Sequence, residues 1–373
     1  MAGPRENGAT RPDTMSIPML PTPRATVANM AGYTPGEQPK PGEQVIKLNT
    51  NENPYPPSPR VLDAIRHVDP NSLRRYPQPM ADDFRTTAAR VHGVRPECVL
   101  AGNGSDDILQ IALRTYCAAG DVLASPDPTY SLYPVLCELA DVRFVTVPWS
   151  EGWRLPIDAL LATKPRAVFF ANPNAPSGTV VSIETISELA TRTDALVLVD
   201  EAYVDFADDN ALSLVARHDN VLVSRTLSKG YGLAGLRFGY AVAHPSVIEQ
   251  MAKVKDSYNC DAISIAAAVA ALDDQAYARD CWARVREQRG RLTSELSARG
   301  WSVLPSQGNF VLATAPRDGN AGAWYRSLKS HGVLVRYFDK PGLRDKLRMT
   351  VGTPDENDAL LAALDESHKE LLA

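Results

Sequence analysis

Short apolar runs alternate with helical patterns between about Cys98 and Tyr240. Two of these runs, Ala167–Ala171 and Ala195–Val199, are continuously apolar, as expected of strands buried on both faces of a sheet. Helical patterns such as Ile183–Arg192 separate several of the runs. The alternation predicts an α/β domain with a mostly parallel sheet. Further strands are expected at Val99–Ala101, Asp121–Ser125, Val142–Val147, Val221–Val223 and Phe238–Val242.

The pattern changes after Ile263. A long helical pattern runs from about Ala276 to Arg299, and Gly300 is its expected end. The sequence Thr353-Pro-Asp-Glu combines a capping box with proline at the first helical position, which predicts the start of the last helix. These elements predict a smaller α+β domain. Its strands are expected at Trp301–Leu304, Asn309–Ala313, Val333–Phe338 and Leu347–Val351.

The predicted organisation has four parts. Residues 1–25 are rich in proline and lack the apolar core of a secretory signal, so we expect a disordered arm. Residues 71–269 are expected to form the large domain and residues 270–373 the small one. The segment 26–70 is expected to pack with the small domain.

Composition narrows the class of protein. Apolar residues make up 44% of the 373 positions, which indicates a globular protein, and the net charge of −5 argues against nucleic-acid binding. No apolar stretch approaches the ~18 residues of a membrane span. The five cysteines are scattered and form no CxxC pair, which argues against a metal site or a disulfide framework. Free thiols favour the cytoplasm.

Ligands of open α/β sheets bind beyond the carboxyl ends of the strands, and four groups of polar residues lie there. The first is the loop Gly102–Asp107, in which the backbone N–H groups of Gly104, Ser105 and Asp106 could hold a phosphate. A helix cap at Ser105 is the competing interpretation, and two carboxylates would repel a phosphate unless they point away.

Two further groups offer a buried acid and an aromatic ring. Asp200 ends an apolar run, so its carboxylate needs a cationic partner or hydrogen bonds, and a pyridinium N–H would serve. Tyr203 follows three residues later and could reach the neighbouring ring oxygen. Tyr130, in Asp127-Pro-Thr-Tyr, could stack on a planar ring. Taken singly, Asp200 could equally cap a helix, and Tyr130 could belong to the core.

The fourth group surrounds Lys229. The hydroxyls of Thr226 and Ser228 and the guanidinium of Arg237 lie close to it in the chain and could bind a phosphate. A lysine held near a phosphate site, with Asp200 as a pyridinium partner, is the set needed to keep pyridoxal phosphate as a Schiff base. The joint occurrence of these residues predicts that cofactor.

The same motifs resemble the fold-type I aminotransferases that depend on pyridoxal phosphate. Their order is that of the family: GNGSDD, DPTY, NPNAPSG, DEAY, and TLSK with an arginine eight positions after the lysine. The resemblance covers about Tyr33 to the C-terminus and is strongest to histidinol-phosphate aminotransferases. It implies an α/β large domain with a mostly parallel sheet flanked by helices, a smaller α+β domain and a homodimer. The supporting segments include LNTNENP, RRYP, AGLR, VRYFDKP and LRMTVGT.

The resemblance also implies a role for each site residue. Lys229 would be the Schiff-base lysine and proton carrier, Asp200 the partner of the pyridine nitrogen and Tyr203 a contact of the ring 3-oxygen. Tyr76 would reach the cofactor phosphate from the partner subunit. The other expected cofactor contacts are Gly104, Ser105, Asp106, Tyr130, Asn174, Thr226, Ser228 and Arg237, and the expected substrate contacts are Tyr33, Asn309, Arg336 and Arg348.

Two positions bear on the substrate and the cofactor ring. In the alternation of Val333–Phe338, Arg336 shares a face with Leu334 and Phe338, and a guanidinium on an apolar face favours an anionic partner. Ala175 replaces the asparagine with which the family contacts the ring 3-oxygen. Tyr203 would then act alone, or Asn174 or a water would substitute.

The implied reaction is a ping-pong transfer of the amino group from histidinol phosphate to 2-oxoglutarate, which gives imidazole-acetol phosphate and glutamate in histidine biosynthesis. Three alternatives stay open at this point. They are an aromatic amino acid aminotransferase, a decarboxylase of a phosphorylated amino acid and a non-catalytic module of the same fold. The intact set of Lys229, Asp200 and Arg237 argues against the last of these.

Overall fold

The computed structural model describes residues 21–40, 42–316 and 320–372. The strands are β1 Ile46–Lys47, β2 Val99–Gly102, β3 Val122–Asp127, β4 Arg143–Pro148, β5 Ala167–Ala171, β6 Leu196–Asp200, β7 Val221–Thr226, β8 Gly239–Ala243, β9 Ser302–Val303, β10 Phe310–Thr314, β11 Val333–Leu334, β12 Arg336–Tyr337 and β13 Lys346–Thr350. The helices are α1 Ala25–Asn29, α2 Pro59–Arg66, α3 Pro70–Leu73, α4 Asp82–His92, α5 Ser105–Tyr116, α6 Leu132–Leu139, α7 Ile157–Ala162, α8 Ile183–Thr191, α9 Pro245–Ala252, α10 Ala262–Asp273, α11 Gln275–Ala298, α12 Ala321–Ser330 and α13 Pro354–Leu372.

A seven-stranded sheet forms the larger part of the molecule. Its strand order is β2-β8-β7-β6-β5-β3-β4, and only β8 runs antiparallel to its neighbours. Helices cover both faces, because apolar residues of α2, α4, α8 and α10 pack on one side and those of α5, α6 and α9 on the other. Both β5 and β6 are wholly buried, which explains their continuous apolar sequences.

A four-stranded antiparallel sheet, in the order β12-β13-β10-β9, forms a second core with α11, α12 and α13. The predicted single strand over Val333–Phe338 is wrong. The chain divides there into β11, which pairs in parallel with β1, and β12, which joins the antiparallel sheet. Leu334 is therefore buried beside the N-terminal segment, whereas Arg336 and Phe338 face the cavity described below.

Local signals place the helix ends. The Thr353 Oγ1 accepts from the Glu356 N–H at 3.2 Å, and the Glu356 carboxylate accepts from the Thr353 N–H at 2.7 Å, as expected of a capping box. Ser105 does not cap α5, because Gly104 takes the cap position with φ 91° and Ser105 is the first helical residue. Ser105 thus contributes to the cavity wall instead.

Two other predictions concern the chain as a whole. Residues 1–20 of the predicted disordered arm lie outside the described residues, and Ala25 begins the short helix α1. The predicted domain boundaries at 26–70, 71–269 and 270–373 stay predictions. None of the helices in the described ranges is both long and apolar enough to cross a membrane.

Candidate active site

A cavity of about 240 Å³ opens at the carboxyl ends of four parallel strands. The last residues of β3, β5, β6 and β7 all line it: Asp127, Ala171, Asp200 and Thr226. The opposite wall comes from the antiparallel sheet and from the N-terminal segment. Twelve of the sequence-predicted site residues meet here: Tyr33, Ser105, Asp106, Tyr130, Asp200, Tyr203, Thr226, Ser228, Lys229, Arg237, Arg336 and Arg348.

Lys229 is held from both its side chain and its backbone. Its Nζ donates to the Thr50 carbonyl at 2.9 Å, and Asn53 Nδ2 donates to the Lys229 carbonyl at 2.9 Å. Burial, and then the positive charge of Arg348, lowers the pKa of Lys229 to about 8. The lowered pKa leaves a minor fraction of this amine neutral near pH 7, but a far larger one than an ordinary lysine would have, as a nucleophilic lysine requires.

Asp200 lines the cavity, and only one of its two carboxylate oxygens has a hydrogen-bond partner among the described residues. Tyr133 donates to Oδ2 at 2.9 Å, whereas Oδ1 is buried and has no hydrogen-bond partner among the described residues. Burial raises the pKa of Asp200 to about 7. A buried carboxylate oxygen on a cavity wall is a site for a cationic N–H, which would stabilise the charged form.

The Asp200 strand is fixed to its neighbour by a buried ion pair. Arg225 donates to Glu201 Oε2 through Nε at 2.9 Å and through Nη2 at 2.7 Å. Glu201 directly follows Asp200, and Arg225 directly precedes Thr226. The pair therefore joins the chain at the ends of β6 and β7, at the positions that place a carboxylate and a hydroxyl in the cavity.

A group of donors clusters around Arg237. Its Nη1 donates to Ser228 Oγ at 3.3 Å, and Thr226 Oγ1 donates to Ser228 Oγ at 2.9 Å. Its Nη2 donates to Asp106 Oδ2 at 3.2 Å. Asp106, one of the two carboxylates expected to repel a phosphate, is thus paired with the Arg237 guanidinium. The other, Asp107, points away, since it accepts from the Asn103 N–H at 2.9 Å.

Two glycines allow the loop to approach this cluster. A Cβ on Gly104 would lie 2.8 Å from Arg237 Nη2, and its φ of 91° is unfavourable for other residues. A Cβ on Gly239 would lie 2.4 Å from the Ser105 nitrogen. The backbone N–H groups that open α5, the hydroxyls and the arginine together form an anion cradle that any side chain at these positions would fill.

Aromatic rings surround the middle of the cavity. The Tyr130 hydroxyl donates to Asp106 Oδ1 at 3.2 Å, and its ring lies edge-on to those of Tyr33 and Tyr133, with centroids 6.4 Å and 5.6 Å away. The Tyr203 hydroxyl accepts from Asn51 Nδ2 at 3.1 Å. Contacts within the protein thus hold Tyr203 and Tyr130 on the cavity wall.

A second cationic end lies on the opposite wall. The Arg348 guanidinium is 5.4 Å from the Phe310 ring centroid and 5.6 Å from that of Phe338, and its Nη2 donates to the Asn49 carbonyl at 2.9 Å. Its buried Nε has no partner among the described residues. Arg336 lies over the other side of this end, 5.4 Å from the Phe338 centroid. Two guanidiniums held on aromatic rings favour an anionic ligand.

Four predicted residues do not line the cavity. Gly104 is not part of the lining, although it lies close to Arg237, and Asn309 is buried with its Nδ2 donating to the Asn51 carbonyl at 3.0 Å. Asn174 is buried too, and its Nδ2 donates to Ser177 Oγ at 2.8 Å. Tyr76 is 79% exposed and stacks on Tyr258 with centroids 4.4 Å apart.

Sequence reasoning missed Tyr133, Thr50 and Asn51. Tyr133 lies one helical turn after Tyr130, and that spacing was the available signal. Thr50 and Asn51 belong to a motif that supported the resemblance, but their contacts depend on pairing between distant parts of the chain.

These residues fit pyridoxal phosphate. The anion cradle suits its phosphate, the partly neutral Lys229 suits its aldehyde and the unpartnered Asp200 oxygen suits its pyridinium N–H. Ser105, Thr226, Ser228 and Arg237 of the cradle line the same cavity as Lys229 and Asp200.

Residues 43–364 match the family model described as Aminotransferase class I and II. The chain belongs to this family. It is 47% identical over 341 residues to histidinol-phosphate aminotransferase 1 of Trichormus variabilis, an alignment that covers 91% of this chain and 97% of the relative. It is 45% identical over 350 residues to the histidinol-phosphate aminotransferase of Rhodopirellula baltica, with coverage of 93% and 96%.

Among solved structures, the fold is similar to that of histidinol-phosphate aminotransferase from Sinorhizobium meliloti in complex with pyridoxal-5'-phosphate. The TM-score is 0.82 at 29% identity, with 88% of this chain and 92% of that chain covered. These comparisons confirm the predicted fold class, the aminotransferase class and the cofactor. The roles of the individual site residues stay predictions.

Proposed function

We propose that this aminotransferase moves the amino group of histidinol phosphate to 2-oxoglutarate in two half-reactions, in histidine biosynthesis. One observation carries the proposal: a single cavity is lined by Lys229 and by two separate groups of cationic side chains, one at Arg237 and one at Arg336 and Arg348. The cradle at Arg237 would hold the cofactor phosphate. The end at Arg336 and Arg348 then has its own anion to bind, which is the phosphate or carboxylate of the substrate.

The bound cofactor supplies an aldehyde that condenses with amines and a ring that accepts electrons from the amine-bearing carbon. The chain's residues would do the rest. Asp200 Oδ1 would accept a hydrogen bond from the pyridinium N–H and stabilise the positive charge of the ring. Tyr203 would donate a hydrogen bond to the ring 3-oxygen. Lys229 Nζ would remove the proton from the amine-bearing carbon of the substrate, because its lowered pKa lets it act as a base.

The character of the second cationic end favours a phosphate monoester. Lys340 lines this wall together with Arg336 and Arg348. Three cationic side chains are therefore available to a phosphate monoester, which carries up to two negative charges. An aromatic amino acid would bring a single carboxylate to the same place. The relatives at 42–48% identity named histidinol-phosphate aminotransferases support the phosphorylated substrate.

A homodimer would complete the site. Tyr76, expected at the cofactor phosphate, lies outside the cavity of its own chain and is 79% exposed. Leu73, three residues earlier in the chain, is also a large apolar residue with a high exposure of 57%. We propose that Tyr76 enters the cavity of the partner subunit. The free state of all five cysteines fits the proposed cytoplasmic location.

A single-turnover experiment tests the substrate. The cofactor-loaded enzyme is mixed with histidinol phosphate or with phenylalanine at matched concentration, without 2-oxoglutarate, and the keto product is measured. We expect imidazole-acetol phosphate to form at least tenfold faster than phenylpyruvate. Faster phenylpyruvate formation would assign the aromatic reaction instead, and release of carbon dioxide from a phosphorylated amino acid would assign the decarboxylase. Lys229→Ala is the inactive control.

A further inference from the structure

Asn51 is a buried amide that the predicted site did not include. It has a left-handed φ of 55°, which asparagine tolerates better than most residues. Thr350 Oγ1 accepts from the Asn51 N–H at 3.0 Å and donates to Asn51 Oδ1 at 3.2 Å. Asn309 Nδ2 donates to the Asn51 carbonyl at 3.0 Å. The backbone of Asn51 and its side-chain oxygen are thus both held by hydrogen bonds.

These contacts determine the direction of the next hydrogen bond. Because Oδ1 already accepts from Thr350, the opposite side of the amide, Nδ2, faces Tyr203 and donates to its hydroxyl oxygen at 3.1 Å. The hydrogen of the Tyr203 hydroxyl is not used in that bond. Tyr203 lines the cavity, so its hydrogen is available to an acceptor there.

Ala175 lies in the same small cluster, packed with Tyr203 and Phe310. It has no polar side-chain atom, and Asn174 turns its amide to Ser177 and to the Pro128 carbonyl. Of the two side chains expected at the ring 3-oxygen, one is therefore missing from this chain. The amide of Asn51 donates to the Tyr203 hydroxyl, and Asn51 itself does not line the cavity.

We propose that Asn51 is a positioning residue that acts through Tyr203 and compensates for the amide missing at Ala175. It orients the tyrosine hydroxyl toward the cavity, and its donation to the hydroxyl oxygen makes that hydroxyl a stronger donor, because hydrogen bonds in a chain polarise one another. The inference rests on the proposed function, in which Tyr203 donates to the ring 3-oxygen.

The test is a pH titration of the visible absorbance of the cofactor-loaded enzyme. A donor at the ring 3-oxygen stabilises its negative charge, so a weakened donor shifts the midpoint of the absorbance change to higher pH. Asn51→Gly removes the amide and suits the left-handed backbone, so it separates the hydrogen bond from folding. We expect its midpoint to rise by roughly half a pH unit.

Asn51→Asp keeps the size and backbone preference but replaces the donor with an acceptor. It would draw the Tyr203 hydrogen away from the cavity, so we expect a larger rise than in Asn51→Gly. Ala175→Asn should reverse the shift of Asn51→Gly, because it restores a donor beside the ring. In a Tyr203→Phe background, Asn51→Gly should cause no further change, since Asn51 acts only through the hydroxyl.

The outcomes separate this inference from the proposed function. An unchanged midpoint in Asn51→Gly, or the same shift with and without the Tyr203 hydroxyl, would overturn the role of Asn51 while the parent enzyme still titrates. A parent enzyme that binds the cofactor but shows no lysine-dependent visible band would overturn the proposed function itself. Asn51→Gly should lower the thermal stability, because it removes the side-chain contact with Thr350. If Ala175→Asn then restores the midpoint, the result supports the inference, because Ala175→Asn replaces a donor near the ring and not the contact with Thr350.

Discussion

The Tyr133 hydroxyl lies 2.9 Å from Asp200 Oδ2 and donates to it, while Oδ1 of the same carboxylate has no partner among the described residues. Tyr133 is fully buried beneath Tyr130 and also packs edge-on against Phe169. The hydrogen bond holds Oδ2 in place, which leaves Oδ1 as the oxygen that can accept from a cationic N–H. The acid is thus oriented by a residue that does not itself line the cavity.

Tyr133→Phe should weaken cofactor binding. The change removes one hydrogen bond to a charged group, worth about 1.5–3 kcal/mol, and keeps the ring that packs beneath Tyr130. We expect at least about a tenfold rise in the dissociation constant for pyridoxal phosphate, measured by titration of the cofactor-free protein. Tyr116→Phe is the matched control, because Tyr116 lies outside the cavity. Equal affinity of Tyr133→Phe and the parent would contradict the orienting role.

Asp200→Asn should stabilise the cofactor-free protein while it abolishes efficient catalysis. The pKa of Asp200 is raised to about 7 in the folded state, so between pH 4 and 7 the folded chain binds more protons than the unfolded one. Its contribution to stability therefore falls as pH rises through that window. The gain from Asp200→Asn should reach up to about 4 kcal/mol at pH 8 and be smaller at pH 5.

Urea unfolding of the cofactor-free parent and variant at the two pH values measures this gain. A gain that is equal at pH 5 and pH 8 would show that the Asp200 charge is not the cause. With cofactor bound, the parent should be the more stable of the two proteins, because the neutral amide of the variant lacks the charge that stabilises a pyridinium N–H.

Arg348→Met should raise the pKa of Lys229. After burial, the Arg348 charge is the largest cause that lowers this pKa to about 8, so without it less of the amine is neutral at pH 7. The rate at which cofactor-free protein captures pyridoxal phosphate, followed from pH 6 to 10, should show a midpoint near 8 in the parent and about half a unit or more higher in the variant. Arg348→Lys keeps the charge and should keep the midpoint. A parent midpoint near 10 would refute the lowered pKa.

Mixing two inactive variants should restore activity if Tyr76 acts across a dimer. A dimer of one Lys229→Ala chain and one Tyr76→Ala chain would contain one site with both substitutions and one site with neither. Chains that are mixed, unfolded together and refolded should therefore regain up to about a quarter of parental activity, whereas each variant refolded alone should not. Activity that fails to return in demonstrably mixed dimers would place Tyr76 and Lys229 in the site of the same chain.

Much of the large sheet and of the cofactor end could be predicted, because its signals are local. Asp200 and Thr226 each end a continuous apolar strand, and the topology brings the ends of such strands to one edge. The predicted strands at Ala167–Ala171 and Ala195–Val199 differ from the observed ones by at most one residue at either end. The order of the motifs along the chain then indicated the aminotransferase family.

The substrate end was harder to predict because it depends on distant pairing. Arg336 follows a break at Val335, where the chain passes from a pairing with Ile46–Lys47 to one with β13, and the alternation of Val333–Phe338 contains no sign of that break. Asn51 reaches Tyr203 because the N-terminal segment contacts both Thr350 of β13 and the loop that carries Lys229. Residue type alone gave no indication of either contact.

The pairing of the N-terminal segment also sets the order in which the site can be completed during synthesis. Asn49 and Arg348, which share a hydrogen bond at the substrate end, are 299 positions apart in the chain. Asn51 and Thr350 are separated by the same distance. A nascent chain can therefore present the ends of the parallel strands early, but it cannot close the substrate end until the ribosome has made almost the whole polypeptide.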